Sequence, residues 1–191
     1  MSKVISIDLE LNQPSGKIIQ LGYVIGAIRY PRVIKSASII VNPYEQLGRL
    51  SNKDMSITDL TGITQEDVDK GVSLQEAYAL MCKDIEKYNP SRTPVQWGTG
   101  DSRALRTQLG LSHDEFIFRG REFDVKTLFQ TYQLFNNGSV AAGLASAMTT
   151  MGLEFVGTEH NAEDDAHNTF MMFRELGNRL VMSNKIRQVI K

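Results

Sequence analysis

The first forty residues hold three β-branched, apolar runs separated only by turn residues, and such a stretch has little alternative to an antiparallel meander. The first run, Val4-Ile5-Ser6-Ile7-Asp8-Leu9-Glu10, leads into the polar turn Asn12-Gln13-Pro14-Ser15-Gly16. The second covers residues 17–26 and breaks near Tyr30-Pro31; the third covers residues 33–41 and stops at Asn42-Pro43. Beyond this the period lengthens. Residues 51–70 carry short helical turns around Thr58-Asp59-Leu60-Thr61-Gly62-Ile63-Thr64. Leu74, Ala77, Tyr78, Met81, Ile85 and Tyr88 recur at helical spacing, and Asn89-Pro90 ends that helix. Pro94-Val95-Gln96-Trp97-Gly98 reads as a short buried strand, and Asp101 begins a helix carrying Leu105, Leu109 and Leu111. Phe123-Asp124-Val125 is a further short strand, residues 125–135 and 140–151 are two helices, and a long helix runs from near Ala162 to about Leu180. Strands first, then helices interleaved with two short strands, predict an α/β fold around a mixed sheet.

Composition limits what such a fold can do. A chain of 191 residues builds one domain with one well-developed core, expected over residues 1–191. Lys and Arg number 21 against 22 Asp and Glu, a formal net charge of -1, which excludes coating nucleic acid by charge alone but is compatible with a local basic groove. A lone cysteine, Cys82, excludes an intramolecular disulfide and multi-cysteine metal centres. It lies in the apolar pattern Ala77, Leu80, Met81, Ile85 and is expected to be a buried helix position. No apolar run of 18 residues exists, and Asp8 and Glu10 interrupt the N-terminal apolar stretch. The expectation is a soluble cytoplasmic protein with no membrane partner.

Three short segments can carry chemistry. Asp8 and Glu10 flank Leu9 at the end of a strand, so both carboxyls point to one side, roughly 6–7 Å apart along the chain. Such a pair is either the polar face of a strand or a site for divalent cations about 3.5–4 Å apart. Trp97-Gly98-Thr99-Gly100-Asp101 ends a buried strand and opens a helix, so Asp101 is an N-cap or a ligand. His160-Asn161-Ala162-Glu163-Asp164-Asp165 starts the long helix. On one continuous helix His160 and Asp165 would diverge by about 140°. With His160 on the preceding loop they can face one site. Acids at this helix start also suit the dipole alone, and Glu163 and Asp164 read as surface or capping groups. Asp8, Glu10, Asp101 and Asp165 are hard oxygen donors that suit Mg²⁺ or Mn²⁺, and a nearby His160 suits a general base.

As a set these motifs resemble the DEDDh branch of the DnaQ-like 3′→5′ exonucleases, in the ribonuclease H-like superfamily. Motif I is similar to Asp8-Leu9-Glu10, motif II to Asp101 after the Trp97 strand, and motif III to His160 and Asp165 with four residues between them. Ile18-Ile19-Gln20-Leu21-Gly22 and Leu60-Thr61-Gly62-Ile63-Thr64-Gln65 resemble further family segments. Gly152-Leu153-Glu154-Phe155-Val156-Gly157 and Asp164-Asp165-Ala166-His167-Asn168-Thr169 look most like the exoribonuclease side, including the KapD-type proteins. The resemblance covers about residues 3–175. It implies a ribonuclease H-like fold with a central mixed five-stranded sheet, a meander plus parallel strands, flanked by helices. It implies two Mg²⁺ or Mn²⁺ ions on Asp8, Glu10, Asp101 and Asp165, with His160 as general base. The 3′-terminal nucleotide of single-stranded RNA or DNA would enter beside motif I, near Leu9, Leu11 and Asn12, and leave as a 5′-monophosphate. Many relatives carry Thr or Ser after the motif I glutamate, where this chain has Leu11-Asn12.

Arg103, Arg106, Arg119, Arg121 and Lys126 follow motif II and form either a solvated face or a set of phosphate contacts, with Arg103 placed among the substrate-binding residues. Tyr23, Trp97, Phe116 and Phe123 are expected in the core. His113 and His167 match no motif. RNA is favoured over DNA as substrate. A DNA-directed proofreading or repair exonuclease is the alternative, and a non-catalytic nucleic-acid or protein binder a third reading, though the carboxylate set is complete. With four acids neutralised by metal, the remaining balance turns modestly positive, which suits a polyanionic substrate held at its end.

Overall fold

The computed structural model describes residues 2–30, 32–51, 54–136 and 143–189, with side chains described as far as Val181. The three N-terminal runs form β1 (Lys3–Leu11), β2 (Ile18–Ala27) and β3 (Arg32–Ile40), an antiparallel meander. Next come the short helices α1 (Ile57–Thr61) and α2 (Gln65–Asp69), then α3 (Leu74–Tyr88). The remainder runs β4 (Val95–Gln96), α4 (Asp101–Leu109), β5 (Phe123–Asp124), α5 (Val125–Asn136), α6 (Leu144–Thr150) and α7 (Ala162–Val189). β4 pairs parallel to β1, and β5 parallel to β4, so the sheet order is β3-β2-β1-β4-β5. This is the expected mixed five-stranded sheet.

Helices cover both faces. Ile5, Ile7 and Leu9 of β1 pack with Met81 and Ile85 of α3, Leu105 of α4, and Phe116 and Phe118. On the other face Val4 and Val24 pack with Phe129 of α5, Met148 of α6, and Ala166 and Phe170 of α7. Period-two alternation therefore sorts β1 into two apolar faces at its start, and Asp8 and Glu10 continue the α7 face at its end. The five-residue helices α1 and α2 are too short to stand on propensity; Ser56 with Asp59 and Thr64 with Asp67 close reciprocal capping boxes over their first turns.

Several boundaries differ from the sequence reading. α4 ends at Leu109 because Gly110 takes a left-handed conformation (φ 69°), so Leu111 lies beyond the helix. α6 begins at Leu144; residues 140–142 of the predicted helix lie outside the described residues. α7 continues past Leu180 to Val189. Cys82 is half-buried rather than buried, and Leu80 is 44% exposed, because α3 buries only the narrower stripe Ala77, Met81 and Ile85. Phe123, predicted in the core, is 40% exposed at the sheet edge, where it packs beside Phe173. Tyr23 and Phe116 are buried and Trp97 half-buried. No described helix is long and apolar enough to cross a membrane.

Candidate active site

β1 and β2 position the first two carboxyls. Asp8 pairs with Gly22 and Glu10 with Gln20, on the face that receives α7. A Cβ on Gly22 would stand 2.0 Å from the carbonyl carbon of Ala162, and one on Gly26 would stand 2.2 Å from Cζ of Phe170. The missing side chains let α7 lie directly on β2, and Gln20 completes the seat: the Ala162 N–H donates to its Oε1 at 2.9 Å. Gln20 is buried, and its Nε2 donates to Ser38 Oγ at 2.9 Å, which holds the amide in place.

The loop before α7 is tied to the helix it precedes. Asn161 caps the helix, its Oδ1 accepting from the Glu163 N–H at 3.1 Å and, longer, from Asp164 at 3.4 Å. Asp164 accepts the Thr158 N–H at 2.9 Å, so it anchors the loop, while Asn161 supplies the cap. Asn168 is buried and clamps the loop, exchanging hydrogen bonds with the backbone of Val156 at 3.0 and 2.8 Å. His160 stands on this loop with φ 64°, and its backbone N–H donates to Asp165 Oδ2 at 3.1 Å. The histidine and aspartate therefore meet across the helix start, as the loop placement requires.

Asp101 is the first residue of α4, with Gly100 at the cap position and no side-chain capping bond, so the N-cap alternative for Asp101 does not hold. The first turn of α4 is held by a polar cluster instead. Ser102 N–H donates to Gln96 Oε1 at 3.1 Å, and Gln96 Nε2 and Ser102 Oγ both donate to Glu122 Oε2, at 2.8 and 2.7 Å.

These elements bring the four carboxyls and His160 together. Glu10, His160 and Asp165 each offer a ligand atom within 4.8 Å of the other two. Asp8 is raised well above the usual carboxylate range by burial and by the neighbouring charges of Asp101, Asp165 and Glu10. Burial, with Asp165 and Asp101, raises Glu10 to about 8. Burial and Glu122 raise Asp101 to about 7. Asp165 is raised to about 6 by burial, against the lowering effect of the His160 N–H. Among the described residues none of the four takes an ion pair with Lys or Arg. Four carboxyls raised by burial, two of them also by the others of the set, and without a Lys or Arg partner are a donor set fitted to divalent cations.

The predicted substrate contacts fare differently. Leu9 faces the opposite core, and Leu11 packs against it, so their side chains do not line the carboxylate site. Asn12 is 2% exposed and holds the 45–48 loop, with Nδ2 donating to Glu45 at 2.6 Å and Oδ1 accepting from Gly48 at 2.8 Å. Arg103 is exposed beside Thr99 and Ser102. His167 is half-buried on α7. Gln20, Asn161 and Asn168 lie within the segments singled out in the sequence but without the supporting roles they take here, and Glu122 carries no sequence signal of its own. Only Asn161, immediately before an acidic helix start, carries a recognisable capping pattern.

No family model matches the chain. Among curated proteins it is similar to the probable 3′-5′ exonuclease KapD of Bacillus subtilis (strain 168), with 26% identity over 184 residues, 91% of this chain and 83% of that protein. It is similar to ERI1 exoribonuclease 2 of Mus musculus, with 30% identity over 135 residues, 60% of this chain but only 19% of that longer protein. Among solved structures it resembles the nuclease domain of 3′hExo, a DEDDh family member bound to rAMP, with a TM-score of 0.73 at 15% identity over 93% of this chain and 92% of that one. The fold is ribonuclease H-like, with the carboxylates and histidine gathered near the ends of β1 and β4 and on the α7 loop, and in sequence and in fold the chain is similar to 3′-5′ exonucleases of the DEDDh type.

Proposed function

We propose that this chain is a divalent-metal-dependent 3′→5′ exonuclease that removes nucleoside 5′-monophosphates from single-stranded nucleic acid, with RNA favoured over DNA. The observation that carries the reading is the convergence of Glu10, His160 and Asp165 within 4.8 Å, beside Asp8, whose carboxyl is raised by burial and by the charges of Asp101, Asp165 and Glu10. Proteins it is similar to are named as an exoribonuclease and a probable 3′-5′ exonuclease, and the RNA preference rests on the resemblance of segments 152–157 and 164–169 of the sequence to exoribonucleases.

Asp8, Glu10, Asp101 and Asp165 would hold two Mg²⁺ or Mn²⁺ ions. Bound there, the cations supply charge neutralisation at the phosphoryl group and its leaving oxygen. His160 sits on an exposed loop, and the bond from its backbone to Asp165 fixes the residue without occupying the imidazole. A ring nitrogen of His160 takes a proton from the attacking water. The water oxygen bonds to phosphorus, the bond from phosphorus to the 3′ oxygen breaks, and that oxygen stays on the shortened strand. The clamp of Asn168 and Asn161 on the loop keeps the base at a fixed distance from the carboxylates.

The test is hydrolysis of matched 5′-labelled single-stranded RNA and DNA with Mg²⁺, Mn²⁺ or EDTA, with the Asp8→Ala variant as control. The expected result is a ladder of strands shortened from the 3′ end, faster on RNA, absent in EDTA and absent with Asp8→Ala. Faster cleavage of DNA would favour the proofreading or repair alternative. Metal binding by calorimetry without any cleavage would favour a binding module.

A further inference from the structure

We propose that the basic cleft between α4 and residues 112–122 is a second contact for the nucleic-acid strand, holding phosphodiester groups upstream of the 3′ end. The proposal rests on the exonuclease reading for the direction of the strand, and on the cleft itself for the chemistry. A cavity of about 320 Å³ is lined by Arg103 and Arg106 of α4 and by His113 and Arg121, with Thr99 and Ser102 on its wall. Thr99 and Ser102 flank Asp101, so the cleft continues from the metal-site end of α4. A second cavity of about 570 Å³ adjoins it across His113, Phe116, Phe118 and Gly120, and adds Arg92 and Arg119.

The charges of this cleft are unspent. Among the described residues Arg103, Arg106, Arg119 and Arg121 have no carboxylate within ion-pair distance. The one acid lining the first cavity, Glu122, is already engaged by Gln96 and Ser102. In the second, Glu115 accepts from Ser112, and Asp114 is the remaining acid. Arg92 keeps its Nη1 atom buried without a hydrogen-bond partner. Guanidinium groups present a fork of donors that matches a phosphate, and several on one wall match the repeat of a phosphodiester chain rather than a single anion. The aromatic floor is not a base platform: Phe116 stacks on Tyr78 and meets Phe118 edge-on, with both phenylalanines buried. The cleft therefore grips backbone, not bases, and is sequence-neutral.

The experiment is fluorescence anisotropy of a 5′-labelled single-stranded oligonucleotide with the full chain, in EDTA so that no strand is cut, across about 50 to 200 mM NaCl. Single-strand affinity falls with salt by about 0.7 in logarithmic slope per phosphate contact, so Arg103→Gln/Arg106→Gln/Arg121→Gln should flatten the slope by about 2. Arg103→Lys/Arg106→Lys/Arg121→Lys should restore most of that slope, since the charge returns. Should the triple glutamine variant fail to fold by circular dichroism, Arg121→Gln, on an exposed loop, should flatten the slope by about 0.7. An unchanged slope would overturn the proposal, as would equal competition by polyglutamate or a preference for duplex. A flattened slope in a protein that hydrolyses nothing with Mg²⁺ would leave the cleft standing and remove the exonuclease reading. Hydrolysis with an unchanged slope would do the reverse.

Discussion

Replacing Glu10 by Gln should stabilise the metal-free protein at alkaline pH while removing its activity. Glu10 is 8% exposed, and burial together with Asp165 and Asp101 raises its carboxyl from the ordinary 4.5 to about 8. An unfolded chain releases that proton near 4.5, whereas the folded chain keeps it until about 8. Between those values the native state binds more protons than the unfolded one, so stability falls as pH rises and the loss is complete above about 8. Each pH unit of that window is worth about 1.4 kcal/mol, and the residual exposure of Glu10 relieves part of it, which leaves a cost of about 2 to 5 kcal/mol. Glutamine has nearly the same shape and no charge to bury. In EDTA at a pH near ~8.5 the variant should melt roughly 5–15 °C above the parent chain, and the gap should close towards pH ~5. Thermal melts followed by fluorescence across that range read the effect directly. A Glu10→Gln protein that melts below the parent at every pH, or a gap that does not grow with pH, would refute the picture of a buried carboxyl held among like charges.

Three further outcomes follow from the same geometry. Gly22→Ala places a Cβ where the Ala162 carbonyl stands, so α7 must lift from β2; the melting point should fall by the equivalent of about 3 kcal/mol or more, with loss of cleavage, and a variant that melts and cuts normally would mean α7 is not seated this way. His160→Asn keeps a residue that tolerates the left-handed backbone and keeps the N–H to Asp165, so stability should stay within about 0.5 kcal/mol while the cleavage rate drops by roughly 10²–10⁴; an unchanged rate would take His160 out of the proton transfer. Saturating Mg²⁺ should raise the melting point of the parent chain, by the equivalent of about 2.7 kcal/mol at a hundredfold excess over Kd, and Asp8→Ala should abolish that rise; a melting point indifferent to both Mg²⁺ and EDTA would refute the metal site.

Much of the site was legible because its signals are local. Asp8 and Glu10 share a face because a strand has a period of two, and three residues of flanking sequence suffice to see it. The His160 and Asp165 pair was legible because five residues on one helix point apart, which forces the histidine onto the loop. What resisted reading depends on partners far along the chain. Asn12, beside motif I, looks like a substrate contact, yet its amide holds Glu45 and Gly48. Leu9 lies between the two motif I carboxyls, yet the same alternation that turns Asp8 toward the α7 face sends Leu9 to the opposite core. Glu122 carries no motif, and its role comes from Gln96 and Ser102 converging on it across the sheet edge.

The sequence by itself determined the kinds of elements, their order, and which residues on each carry a carboxyl or an imidazole, because periodicity, caps and turns act within a few residues. Tertiary structure alone decided that these groups meet. The approach of α7 to β2 depends on Gly22, Gly26 and the amide of Gln20, which pack against residues 140 to 144 positions away, as with Gln20 and Ala162 at 142. No local pattern encodes that distance. It follows from which side chains are small enough for a helix backbone to rest on the sheet, and the energy of that contact exists only once both are folded.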